Sequence, residues 1–380
     1  MSDKKRKGAG KIRTEFRKHY GSRPKAADPT REFLAADPAD ENDGPASERV
    51  RAKGDSSRKR TVIGRPSGAP ESGAPIVLDV DETQCLPGRV LRVHGLTSIV
   101  ESERGPVFRC ATRRLLKTIA TDQRHVVAAG DLVRFRPESG DTGVIERIEP
   151  RRGVLCRESR GRQHVLVANV DQVVIVASAA EPALKPHLID RFLVTAEHDG
   201  LRPLICVNKV DLVDPADLQP LVGVYSQLGY PTLLVSATRG WGLDRLRRRL
   251  LDKASAIAGQ SGVGKSSLLN AIDPQLNLRV QAVSDENQKG KHTTTAAQLV
   301  PLTGGGYVVD TPGIRQFQLW DVSPAELAAC FPELRPYVSH CRYPDCTHQH
   351  EDYCAVKDAV ADGRIDLRRY ESFCHLFSGE

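Results

Sequence analysis

The run Gly259-Gln260-Ser261-Gly262-Val263-Gly264-Lys265-Ser266 has the spacing G-x-x-x-x-G-K-[ST]. Its glycines permit backbone angles that aim successive N–H groups at phosphate oxygens. The residues that follow, Ser267-Leu268-Leu269-Asn270, open a helix whose N-terminus adds partial positive charge. In this chemistry Lys265 reaches the β- and γ-phosphates of a nucleotide, and Ser266 coordinates Mg²⁺. A chance Gly-rich turn would lack the strand before the run and the helix after it.

Three further motifs sit where strands end. Asn208-Lys209-Val210-Asp211 closes the apolar stretch PLICV. An Asp there can accept two hydrogen bonds, from the N1–H and the 2-amino group of guanine. Adenine has no 2-amino group and its N1 is an acceptor, and a site built for such a pair rejects the analogue that lacks it. Ser236-Ala237 ends the next apolar stretch, where a backbone N–H could meet guanine O6. Asp310-Thr311-Pro312-Gly313 ends another, where Asp310 would hold Mg²⁺ through water and the Gly313 N–H would face the γ-phosphate. Between the P-loop helix and the strand QLVPL lies Gly290-Lys291-His292-Thr293-Thr294-Thr295, with Thr294 the expected Mg²⁺ and γ-phosphate sensor. The residue after DTPG, where a water-orienting Gln is usual, is Ile314. A hydrocarbon cannot orient water, and His292 is the nearest group in sequence that could; the competing reading is a surface loop histidine.

A different chemistry is spelled by Cys341-x4-Cys346-x-His348-x5-Cys354. Three thiolates and one imidazole suit a tetrahedral structural Zn²⁺, and a set with no open position implies an ion that does no chemistry. His350 competes with His348 as ligand or supports it. The alternative is a group of buried thiols, but CRYPDCTHQHEDYC has almost no apolar residues to bury them. Nine cysteines in all, three of them within 14 residues, do not look like a disulfide framework.

These residues need a scaffold. From Val170 on, apolar runs alternate with helical spacing: strands at VDQVVIVAS, RPLICVNK, PTLLVSA and SAIAG, with helices at 187–200, 216–228, 242–252 and from Lys265. Continuous apolar runs are strands buried on both faces, and the alternation means a parallel sheet covered by helices. Ligands of such sheets bind at the carboxyl ends of the strands. Earlier, from Gly88, five short runs alternate apolar and polar residues between Gly, Pro and Asp, which suits a small β-barrel. An OB-fold is the expected barrel, though an SH3-like one would read the same way. Residues 1–80 are rich in Lys, Arg, Asp, Gly, Pro, Ser and Ala and read as a basic, mostly disordered tail and linker. The expected organisation is therefore multidomain α/β: tail 1–80, OB-fold 86–155, nucleotide-binding domain 165–318, and a mostly helical metal-binding domain 319–380.

The net charge of +7 is unevenly placed. Ten Lys/Arg in residues 1–25 face only Asp3 and Glu15, which leaves residues 26–380 at −1. Such an arm usually meets a polyanion, the bland alternative being a solvated tail. No run approaches the roughly 18 apolar residues of a membrane span, and no apolar segment follows the basic N-terminus. A cytoplasmic protein with no membrane partner is expected.

The order of the motifs is the last observation. NKVD and SAT precede the P-loop, switch and DTPG, a cyclic shift of the usual GTPase order in which the old ends join near 250–256. A compact domain tolerates such a shift. With NKVD, SAT, GQSGVGKSSLLN, GKHTTT, DTPG and the Cys/His cluster in this order, residues 86–380 resemble the circularly permuted GTPases of the RsgA/YjeQ family, the ribosome small-subunit-dependent GTPases. The resemblance implies GTP hydrolysis to GDP and phosphate, coupled to late maturation of the small (30S) ribosomal subunit and stimulated by it. It also implies rRNA as a partner and zinc on the Cys/His set, and it too points to His292 as a catalytic group beside Lys265 and Thr294. A monomer is expected. A protein that only senses GTP without turnover is the competing reading; an ATP-dependent kinase is disfavoured by Asp211. Because DTPG leads into the C-terminal domain, nucleotide state is expected to set that domain's angle.

Overall fold

A computed structural model describes residues 10–15, 59–66, 76–118, 126–158, 163–278, 297–310 and 322–379. Within the segment read as tail and linker it places three short strands, β1 (Gly10–Glu15), β2 (Lys59–Pro66) and β3 (Ile76–Leu78), as an antiparallel sheet in the order β1-β2-β3. The rest of residues 1–75 lies outside the described residues.

Alternation of buried and exposed positions builds the barrel. Strands β4 (Leu86–His94), β5 (Thr97–Ser102) and β6 (Val107–Thr112) lead to the short helix α1 (Arg114–Thr118), then to β7 (Leu132–Pro137) and β8 (Thr142–Ile148). The spatial order β4-β5-β6-β8-β7 closes through β4–β7, and β6 runs parallel to β8. This closed five-stranded arrangement is an OB-fold. Val90, Val100, Cys110, Val133, Phe135 and Ile145 fill it. At its base Arg151 donates twice to Asp131, at 2.7 and 2.8 Å, with both side chains buried. A hairpin, β9 (Val154–Glu158) with β10 (Gln163–Ala168), then carries the chain onward.

The second sheet is parallel where it matters. β11 (Gln172–Ser178) is followed by α2 (Pro186–His198), β12 (Arg202–Asn208), α3 (Gln219–Gln227), β13 (Thr232–Leu234), α4 (Leu243–Leu250), β14 (Ala254–Ala258), α5 (Lys265–Ile272), β15 (Gln298–Pro301) and β16 (Tyr307–Asp310). The strands lie in the order β13-β12-β11-β14-β16-β15, with only β15 antiparallel to its neighbour. Every residue of β14 is buried and β11 nearly so, as expected of strands covered on both faces. The sheet meets the barrel at a narrow seam. Gln298 pairs with Arg92, the Tyr307 hydroxyl donates to Glu101 at 2.7 Å, and Arg89 stacks over the Tyr307 ring.

The C-terminal region contributes α6 (Pro324–Leu327), α7 (Arg335–Val338), α8 (Ala355–Ala361) and α9 (Leu367–Ser378). Phe331 and Phe373 meet edge to face at its centre, and Val194 of α2 belongs to the same cluster. The joint is sealed by charge. Arg369 of α9 is 2% exposed; it donates to Asp190 of α2 at 2.5 Å and to Glu333 at 2.6 Å. Tyr225 of α3 donates to the same Asp190 oxygen at 2.7 Å, and Phe331 lies under the guanidinium. Burial and the Asp190 carboxylate both push the Tyr225 phenol above its usual range, so it stays a donor. Removing one member of such a group strands the others in low dielectric. Arg369→Ala should therefore cost about 3–5 kcal/mol of docking and packing. The expected readout is amide exchange accelerated through Leu367–Ser378 while β11 and β14 stay protected.

Candidate functional site

Parallel strands bring the sequence motifs to one edge. β12 ends at Asn208, β14 ends one residue before Gly259, and β16 ends at Asp310. Asn208 is buried and ties two loops together. Its amide nitrogen donates to the Val263 carbonyl at 3.0 Å, and its oxygen accepts from the Ala237 N–H at 3.2 Å. The expected guanine O6 donor, Ala237, thus gives its N–H to Asn208 here.

Two glycines of the loop are fixed by close approach. A side chain on Gly259 (φ +143°) would meet the Val176 carbonyl oxygen at 2.2 Å, and one on Gly264 (φ +88°) would meet the Asn208 amide nitrogen at 2.6 Å. Only glycine accepts both the backbone and the contact. Gly264 is the N-cap of α5, so Lys265, Ser266 and Ser267 occupy its first turn, where N–H groups lack intrahelical partners. The Lys265 ammonium donates to the Gly259 and Gln260 carbonyls at 2.8 and 2.7 Å, which places a cation inside the loop with Ser261, Gly262 and Val263 around it. Lys209 adopts a left-handed backbone (φ 62°), donates to the Glu181 carbonyl and runs its stem past Gly264. Val210 is buried beneath it.

Asp211 is solvent-accessible. Hydrogen bonds, first from the Ser236 hydroxyl and also from Thr238, hold its carboxyl below the usual range, so it is ionised and accepting at neutral pH. The Thr238 hydroxyl donates to it at 3.2 Å and lies 3.1 Å from the Ser236 hydroxyl. Thr238 is the last residue of SAT in the sequence, with no role assigned to it there; the structure places its hydroxyl on Asp211. His292, Thr294, Gly313 and Ile314, expected at the site from the sequence, lie outside the described residues. Of Asp310 the structure gives the backbone, paired with Gln298.

A second site is built by the C-terminal loop. One donor atom from each of Cys341, Cys346, His348 and Cys354 lies within 4.8 Å of all the others, a group that could hold a metal ion. His348 Nδ1 is 3.4 Å from Cys341 Sγ and 3.5 Å from Cys354 Sγ, and the two sulfurs are 3.9 Å apart. Sulfur ligands at about 2.3 Å from a tetrahedral ion lie about 3.8 Å apart, so the donor set fits. His348 is buried with a left-handed backbone (φ 63°), and burial holds its imidazole below the usual range, in the neutral form a ligand needs. The His350 side chain is 82% exposed and points away toward Glu351. Sequence reading missed two supports. Glu351 accepts from the Thr347 N–H and hydroxyl and from the Gln349 N–H, and these bonds hold its carboxyl well below its usual range, although burial works against them. Tyr370 donates to the His348 carbonyl at 2.7 Å. Among the described residues no helix is long and apolar enough to cross a membrane.

Comparison with known proteins agrees with this geometry. Residues 148–320 match the family model described as RsgA GTPase. A curated protein of Ectopseudomonas mendocina, named small ribosomal subunit biogenesis GTPase RsgA, is 45% identical over 280 residues, covering 72% of this chain and 78% of its own. One of the same name from Chlorobaculum parvum is 41% identical over 305 residues, covering 77% of this chain and 97% of its own. The crystal structure of YjeQ from Thermotoga maritima superposes with a TM-score of 0.64 at 37% identity, covering 78% of this chain and 98% of its own. That of YloQ, described as a circularly permuted GTPase, gives 0.62 at 30% identity, covering 79% and 97%.

The Asn208 bridge makes a direct prediction. Asn208→Ala leaves the Val263 carbonyl and the Ala237 N–H without their partner, a loss of about 1–3 kcal/mol. Amide exchange across residues 259–266 should rise about tenfold or more, with β14 unaffected.

Proposed function

We infer, because the chain belongs to the RsgA GTPase family, that it hydrolyses GTP and acts in biogenesis of the small ribosomal subunit. The observation that carries the reading is the meeting of NKVD, SAT and the P-loop at one edge of a parallel sheet, with Asn208 joining all three. In this reading Asp211 accepts from guanine N1–H and the 2-amino group, and Ser236 and Thr238 orient it. Gly259 to Ser267 wrap the phosphates, and Lys265 neutralises charge that develops between the β- and γ-phosphates. Ser266 and Thr294 are the Mg²⁺ ligands, with Asp310 acting through water and the Gly313 N–H at the γ-phosphate. His292 orients the attacking water that Ile314 cannot.

Cys341, Cys346, His348 and Cys354 hold one structural Zn²⁺ per chain, which fixes the C-terminal fold and takes no part in the reaction. The partners are the small subunit and its rRNA, which the OB barrel and the basic tail contact. The chain works in the cytoplasm as a monomer, with functional units at 1–80, 86–155, 165–318 and 319–380.

The test is phosphate release from GTP by the purified protein, with and without small subunits. Slow release that the subunits accelerate is expected; no release under either condition would leave a GTP sensor. Asp211→Asn should weaken GTP by about 1.5–3 kcal/mol and favour xanthosine nucleotides, since an amide can donate where the carboxylate only accepts. Cys346→Ser should release the zinc, seen by metal analysis, and loosen residues 322–379 while GTP binding persists.

A further inference from the structure

The helix that joins β13 to β14, α4, carries an unusual charge. Between residues 239 and 253 stand six cationic side chains and only two carboxylates. Outside the N-terminal arm the chain is nearly neutral, so this excess is local. α4 buries Leu243, Leu246 and Leu250 against the sheet and turns Arg245, Arg248 and Arg249 outward. Positions i, i+3 and i+4 share one helix face, so the three guanidiniums form one patch. Among the described residues the ion pair on this helix is Arg247 with Asp244. Arg247 is otherwise occupied, donating to the Ala271 and Ile272 carbonyls at the end of α5. The three outward arginines are left to solvent, apart from one long contact of Arg248 with the Asp244 carbonyl.

Beside this patch lies a cleft of about 530 Å³. Leu250, Leu251, Ile272 and Leu302 line it with Arg247 and Arg248, and the Asp273 carboxylate in the same lining accepts from the Thr303 N–H and hydroxyl. Exposed Gly304 also lines it, and a side chain added there would meet nothing within 4 Å. A planar apolar face entering beside cationic side chains is the chemistry of an unstacked base whose phosphates stay outside. In single-stranded RNA every nucleotide supplies both parts, a flat base for the cleft and a phosphate for an arginine.

We propose that α4 and the adjoining cleft form a single-stranded RNA site, with Arg245, Arg248 and Arg249 on consecutive phosphates and one base in the cleft. It rests on the reading of the chain as an rRNA-binding GTPase and adds a contact surface on the nucleotide-binding domain, apart from the barrel and the tail. Bound RNA would lie on the helix that follows the Ser236–Thr238 loop, and so close to the residues that orient Asp211.

The test uses the full-length protein and a fluorescent 12-nucleotide oligouridylate, titrated at several salt concentrations. Each lost phosphate contact to a single strand removes about 0.7 from the slope of log affinity against log salt. Arg245→Gln, Arg248→Gln and Arg249→Gln together should flatten the slope by about 2 and weaken binding about tenfold at moderate salt. The tail is the same in both proteins, so the difference in slope isolates this face. Phosphate release from GTP by the free variant should be unchanged, which shows that it is folded. Gly304→Phe should weaken the oligouridylate and leave an abasic chain of equal length unaffected. An unchanged slope in the triple variant overturns the proposal, as does an equal effect of Gly304→Phe on both chains. If the triple variant loses affinity for small subunits but not for the oligonucleotide, the face binds a ribosomal protein and the RNA assignment is wrong. Failure of the unmutated protein to bind small subunits would instead sink the ribosomal reading, whatever the oligonucleotide showed.

Discussion

Everything at the nucleotide site hangs on one buried carboxamide. Asn208 ends β12, yet its two polar atoms bind the P-loop after β14 and the loop after β13. A carboxamide can bridge a carbonyl and an N–H because it carries one acceptor and one donor group. The bridge works because the strands are parallel and β12 outruns β14: Asn208 lies opposite Ser178 on β11 and Ala258 opposite Ile175, so the Asn208 side chain reaches the loop that follows β14 rather than the strand itself. Glycine at 259 and 264 then lets the loop come close enough to be held. The order in which the chain visits the strands enters nowhere in this geometry. That is why a cyclic shift of the motifs leaves the site intact.

The same sheet also decides how the flanking units are held. The barrel joins it edgewise at β15 and β16, through Tyr307, Glu101 and Arg89. The C-terminal unit joins it from a face, through Arg369 and α2. DTPG is the covalent link to that unit, but the packed link is α2, which follows the strand whose Val176 carbonyl faces Gly259. Nucleotide state can move the C-terminal unit only as far as contacts differ between the two nucleotides. The buried Arg369, bound to Asp190 of α2 and to Glu333 of the C-terminal unit, ties that unit to α2.

Much of this was legible in the residues. β11, β12 and β14 are buried on both faces and so wrote continuous apolar runs. Five alternating runs wrote the barrel, though its closure through β4–β7 is a pairing of residues far apart in sequence. The helix expected at 216–228 is split. A 3-10 turn spans Pro215–Leu218 and α3 begins at Gln219, because Pro220 lacks the N–H that would donate to the Ala216 carbonyl and its ring crowds that oxygen. The hairpin β9–β10 went unread because the polar stretch from 158 to 164 interrupts its alternation. Arg369 stands beside Arg368 with nothing local to mark it as the buried one; its partner Asp190 is 179 residues away. The choice between His348 and His350 was likewise invisible, since it depends on a left-handed turn at His348 and on Glu351 holding the loop.

Base selection rests on the Asp211 carboxylate, which Ser236 and Thr238 hold in the ionised form. Isothermal titration of the purified protein with GDP and with ADP measures it directly. A site with Asp211 ionised and held by Ser236 and Thr238 should bind GDP at least about 10²-fold more tightly, because ADP leaves the carboxylate without its donors. Equal affinity for the two nucleotides would contradict the account.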